Sequence, residues 1–253
     1  MLMFDEEHIQ QLVIEFAAKT SPLVRWDRKC GDDVFRALAA ADNEVFQIPK
    51  PSSDLPYVIA RKLTGTEGET AEGTSLVLQR EQLQILLPRR VPLFARSGRN
   101  PALPPARDDL WGKDINRLAQ QWFTCVQNAL SGLGVQFLRV GKIYHVTFGP
   151  FDGNAAAELR ERITGASGGS PVEFLVQWAE RQEHKNVQYN VQTLEGAPIM
   201  PGGSRLVNVK IDVNNVDMSA GLEPGEWMAC WNFADTLMPD HLWSVLGSER
   251  RPA

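Results

Sequence analysis

The chain has 253 residues, with 26 Lys plus Arg against 31 Asp plus Glu and a formal charge of -5. At 43% hydrophobic and 23% charged residues it has the composition of an ordinary folded chain, which excludes a collagen, a disulfide scaffold and a wholly disordered polymer. No window approaches the ~18 apolar residues of a membrane span, and the acidic balance does not suit a dedicated basic nucleic-acid binder.

Cys30, Cys125 and Cys230 are too widely spaced for a metal knuckle or a redox pair, so reduced thiols and a cytoplasmic location are expected. The start, Met1 to Phe4, turns acidic at Asp5, Glu6 and Glu7, unlike a secretory signal.

In chain order, residues 5–18 place Ile9, Leu12, Val13 and Phe16 on one helical face, with a strand over Leu12 to Phe16 as the alternative. Residues 31–41 fit a second helix, and Pro49, Pro51 and Pro56 punctuate a loop. Tyr57 to Ala60 reads as a strand, and Ser75 to Gln79 with Leu83 to Leu87 as a hairpin. Residues 108–130 carry Trp111, Ile115, Leu118, Trp122 and Val126 every three or four residues, the stripe of an amphipathic helix ended by Gly132 and Gly134. Val135 to Phe148 alternates around Gly141-Lys142, which suits either a hairpin turn or one long strand. A short helix over 154–163 follows, and then a loop. Val172 to Ala179 is ambiguous between strand and helix. Val187 to Leu194 and Leu206 to Val213 form a strand pair, and from 223 to 246 the pattern is helical, with Pro239 expected to split it. No internal repeat is visible. Strands follow strands without βαβ alternation, so the expected class is α+β, a mainly antiparallel sheet with a few long amphipathic helices on one face. The expected organisation is an N-terminal half over 1–87, a basic Pro-rich linker over 88–107 and a C-terminal half over 108–253, or one continuous domain.

Several residue groups could carry chemistry. Gly165 to Gly169 matches G-x-S-x-G around Ser167, and Ser167, Asp212 and His241 follow a triad's chain order. A nucleophile elbow, however, needs a strand before the serine and a helix after it. Asp212 and Asp217, at the end of a strand, could hold a hard cation such as Mg²⁺ or simply close an Asx turn. Arg89, Arg90, Arg96 and Arg99, in a stretch of five arginines, five prolines and no acid, could fork onto phosphate oxygens. Trp227, Trp231 and Trp243 belong to a surplus of seven Trp over three Tyr, and could line an interface or fill the core.

Val135 to Tyr144, containing Arg139, Gly141 and Lys142, resembles the "R-x-G-x-R-Y" strand of a sporadically distributed, uncharacterised bacterial family of similar length. Leu206 to Asp217, followed by the segment through Ala234 to Leu237 and His241, resembles that family's terminal "D-x-D strand, then helix" arrangement. Lys142, Tyr144-His145 and Asn214 depart from its pattern. The resemblance implies a bacterial cytoplasmic protein with an antiparallel α+β fold and no catalytic residue.

The expected function is therefore a non-enzymatic binding or assembly module without a cofactor. Self-association is its first expected partner and another protein its second; no membrane is expected, and any nucleic-acid contact would fall to loop 88–107. The alternatives are a metal-dependent or serine hydrolase, and anion or nucleic-acid binding through that loop.

Overall fold

Leu12, Ile14, Phe16 and Ala18 are buried on one face while Val13, Glu15, Ala17 and Lys19 take the other, and this period of two makes the first element a strand. In the computed structural model of the chain, the described residues are 4, 8–21, 28–41, 45–46, 57–64, 72–79, 82–89, 116–168, 171, 173–198, 205–216, 218 and 220–247.

The elements are β1 (Ile9–Thr20), α1 (Arg28–Ala41), β2 (Val45–Phe46), β3 (Tyr57–Thr64), β4 (Glu72–Gln79), β5 (Gln82–Arg89), α2 (Asn116–Leu130), β6 (Phe137–Phe148), α3 (Ala155–Thr164), β7 (Phe174–His184), β8 (Val187–Ala197), β9 (Val207–Asn215) and α4 (Pro224–Val245). Among the described residues nine strands form one antiparallel sheet in the order β2-β3-β4-β5-β1-β6-β9-β8-β7. The helices bury their apolar stripes on one face of it, in a single core containing Val34 and Leu38 of α1, Trp122 and Phe123 of α2, Leu159 of α3 and Trp231 and Met238 of α4. The chain is thus an α+β protein with its helices on one side of an antiparallel sheet. None of its helices is long and apolar enough to cross a membrane among the described residues.

Two open readings resolve and one expectation changes. The helix expected over 5–18 is β1; its second face also carries Val13 and Ala17, so apolar residues occur at helical as well as strand spacing. Gly141-Lys142 is no turn but the middle of β6, which runs unbroken from Phe137 to Phe148. A Cβ on Gly141 would stand 3.0 Å from Cβ of its cross-strand partner Asn214, so this glycine allows a close approach of β6 and β9. Pro239 does not split the last helix, which continues from Pro224 to Val245. That helix starts on a capping box in which Glu223 and Glu226 satisfy each other's end of the first turn. The ambiguous stretch beginning at Val172 resolves as the strand β7.

The order of elements is duplicated. Apart from the two-residue β2 before β3, and with α2 counted in the first half, each half runs after its first strand helix, antiparallel meander, helix: β1, α1, β3, β4, β5, α2, and then β6, α3, β7, β8, β9, α4. In each half the first strand returns beside the last strand of the meander, β1 on β5 and β6 on β9. The halves join through their first strands, and Glu15, the seventh residue of β1, pairs with Ile143, the seventh residue of β6. A local two-fold therefore passes through the β1·β6 seam.

Candidate functional site

The seam carries polar groups on both faces. Toward the helices, Phe16 pairs with Lys142, which points its ammonium at α4. Lys142 Nζ donates to Asp235 Oδ1 at 2.6 Å and to Asn116 Oδ1 at 2.8 Å. The Tyr144 hydroxyl donates to the same Asp235 oxygen at 2.8 Å, and Asn116 Nδ2 donates to the other at 2.7 Å. Lys142 and Asp235 side chains are 0% and 1% exposed. The ammonium also lies 5.0 Å from the Phe16 ring centre, where the ring face attracts a cation. Burial, followed by the charge and hydrogen bond of Asp235, holds the Tyr144 hydroxyl well above its ordinary pKa. The arrangement reaches the exposed side through Asn116 Nδ2, which also lies 3.3 Å from Asn232 Oδ1. Every polar group named points at another, and its role is to lock α2 of the first half to β6 and α4 of the second.

On the opposite face, strand pairing lines up Glu15, Ile143, Asp212 and Gln192 across β1, β6, β9 and β8, with Val13, His145, Lys210 and Leu194 in the next row. Glu15 Oε2 lies 3.1 Å from His145 Nε2. Asp212 accepts a 2.9 Å hydrogen bond from Asn214, which accepts one from Asn190 at 3.2 Å. Burial raises the Asp212 carboxyl above the usual carboxylate range, and the Glu15 charge adds to this, while the Asn214 hydrogen bond and the Lys210 and Arg139 charges oppose it.

Asp212 is thus set among amides and cations. No group of three His, Cys, Asp or Glu that could hold a metal occurs among the described residues, and Asp217 lies outside them. Glu223 and Glu226, near Asp212 in sequence, are engaged in capping α4.

The triad order does not become a triad. Ser167 lies in an exposed loop after α3, whose C-cap is Gly165, and β7 follows; this reverses the strand-serine-helix order of an elbow. Asp212 faces away from the helices, whereas His241 on α4 reaches the helical side of β8. There His241 Nε2 meets Thr193 Oγ1 at 2.9 Å, and its Nδ1 lies 3.8 Å from Glu180 Oε1. This hydroxyl-imidazole-carboxylate line has a nucleophile's connectivity, but Thr193 is 1% exposed and no substrate atom can approach its oxygen. Burial lowers the His241 pKa, with Glu180 partly offsetting it.

Trp227 and Trp231 are fully buried, and Trp243 nearly so, so these three interface candidates fill the core. Trp231 meets Phe16 edge-on at 4.9 Å and Phe123 at 5.2 Å. Arg89 ends β5; its side chain and Arg90, Arg96 and Arg99 lie outside the described residues.

The sheet's ends were not legible as features. At one end stands β2, only two residues long. At the other stands β7, eleven residues paired to β8 without a bulge and joined to it by a two-residue turn in which Lys185 and Asn186 both have positive φ. No strand lies beyond β7 among the described residues. Leu175 on β7 is 58% exposed, Ile163 on the adjacent α3 38%, and Val187 on β8 46%.

No family model matches this chain, and no curated protein matches it. Among solved structures, the di-domain ARO/CYC BexL from the BE-7585A biosynthetic pathway aligns over 96% of this chain and all of its own, at 10% identity and a TM-score of 0.22, too slight a likeness to carry an argument.

Proposed function

We propose that the chain is a non-enzymatic binding or assembly module whose working surface is the β7 edge of the sheet. The observation that supports this is the edge itself: eleven regular residues, no bulge and no proline. Along an edge strand, every second residue turns its N–H and C=O outward, a template onto which another strand can add. Protected edges are short, bulged or proline-containing, and β2 at the other end of the sheet has this short form. The polar clusters do not support an enzymatic reading, since the Lys142–Asp235 pair and the Thr193 hydroxyl are buried.

The test is a selection of displayed random peptides on the immobilised full chain. Enriched peptides should alternate apolar and polar residues, as strands do. Their binding should be lost in whichever of Ala179→Pro and Glu180→Pro keeps the native circular dichroism, because one of two adjacent strand residues directs its N–H outward. Peptides that bind that variant equally well would place the working surface elsewhere.

A further inference from the structure

We infer that the occupant of the β7 edge is the β7 strand of a second copy, added antiparallel about a two-fold axis through Ala179. The inference rests on the reading of β7 as a strand acceptor and names its partner.

Antiparallel edge-to-edge pairing of identical strands places the two-fold perpendicular to the sheet, so the helices of both copies share one side. Residues directly opposite then have the same parity and face. With Ala179 opposite itself, all eleven residues of β7 overlap: Phe174 meets His184, Leu175 meets Glu183, Val176 meets Gln182, Gln177 meets Arg181 and Trp178 meets Glu180. No like charges stand directly opposite one another. Sliding the strand by one residue about the axis sets Glu180 against Glu180, and the next slide sets Arg181 against Arg181, both unfavourable cross-strand pairs. The register of complete overlap is thus also one free of directly opposed like charges, and it puts the small Ala179 side chain at the crossing.

Two further observations point the same way. Ile163, Leu175 and Val187 are three of the five large exposed apolar side chains among the described residues, and all belong to α3, β7 and β8 at this end of the sheet. The protein also already builds its sheet in this manner, since β1 and β6, equivalent strands of its two halves, pair antiparallel about the seam two-fold. Pairing β7 with β7 would repeat that operation between chains.

The experiment is register-specific cross-linking of the full chain in a Cys30→Ser, Cys125→Ser background; Cys230 is buried. Cα atoms of directly opposed antiparallel residues lie about 4.5–5.5 Å apart, within the span of a disulfide. Ala179→Cys should form a covalent dimer with itself on mild oxidation. Gln177→Cys and Arg181→Cys should each form no covalent dimer alone but cross-link when mixed. Sedimentation of the unmodified chain should show dimers that the fold-retaining proline variant of β7 loses. A chain that stays monomeric at high concentration, or Gln177→Cys cross-linking to itself as readily as Ala179→Cys, overturns the inference. If the chain is monomeric yet selected peptides still bind β7, the edge accepts a foreign strand and only the self-pairing is wrong. If neither binds, both readings fall.

Discussion

Lys142 and Asp235 stand 93 residues apart in the chain and 2.6 Å apart in space, both shielded from water. Burying each charge alone is expensive, and the pair is tolerable because Asn116 and Tyr144 complete its hydrogen bonding.

Removing one partner should therefore cost far more than removing both. Asp235→Leu is expected to lower unfolding stability by about 3–5 kcal/mol, because it strands the Lys142 ammonium. Adding Lys142→Met should recover most of that loss. Urea denaturation of the two single variants and the double variant checks this; purely additive losses would mean that the pair is not coupled.

The glycine in the middle of β6 makes a separate prediction. Gly141→Ala sets a methyl group against Asn214 Cβ and the Val213 carbonyl, at 3.0 and 3.1 Å. The expected cost is about 1–3 kcal/mol, the range for overfilling a packed position. A melting temperature unchanged from the parent would contradict the close approach of β6 and β9.

Asp212 and His241 should shape the pH dependence from opposite sides. The folded Asp212 carboxyl binds its proton more tightly than an unfolded one, so stability from this group falls as pH rises from the unfolded value through the folded value. Asp212→Asn keeps an acceptor for Asn214 and removes that decline. The melting temperature should rise at neutral pH and change little near pH 3; a fall at neutral pH would show that the carboxylate is stabilising.

His241 carries the reverse sign. Its folded pKa lies below the unfolded value, so its stability contribution is present above the ordinary histidine range and is lost as pH falls through the folded value. His241→Gln, which can still bond Thr193, should flatten the melting-temperature profile between pH 7 and the onset of carboxylate titration. An unchanged acid limb would mean that His241 is not protonated there.

Tryptophan emission separates the core from the edge. Trp122, Trp227 and Trp231 have no exposed surface and should emit in the blue whatever the protein concentration. Trp178, half-buried on β7, is the indole that a second β7 would cover. Any concentration-dependent emission shift should vanish in Trp178→Phe; its persistence would locate self-association at another surface.

Much of the fold could be read from local pattern. The helices α1, α2 and α3 follow their apolar spacing, because each buries one face and leaves the other wet, and β4 and β5 form the expected hairpin. The readings left open fall where a local pattern has a distant cause. β1 carries Val13 and Ala17 on its second face as well as apolar residues on its first, and a strand so filled imitates helical spacing. Gly141-Lys142 imitates a turn because the partners that require it, Asn214 and Asp235, lie on β9 and α4. The buried network did leave a trace: a lysine in an apolar strand and an aspartate among Trp231, Phe233, Ala234 and Met238 in an apolar helix, two misplaced charges of opposite sign. The duplication left none, since two halves with one order of elements need share only their burial pattern and not their residues. Nor could the sequence show that the strand beginning at Phe174 would end the sheet, because that depends on how the other eight pair.

The seam also has a consequence in time. On the ribosome β1 can meet β5 as soon as residue 89 is out, yet its other side must wait for β6, which ends at Phe148. Until then the nascent first half offers Leu12, Ile14 and Phe16 on a bare edge, with Trp231 of the covering helix not yet made. Exposed strand edges of this kind invite misassembly between neighbouring chains. The sequence order that places both first strands at the centre of the sheet therefore leaves the first half with an unpaired central edge until the second half begins to emerge.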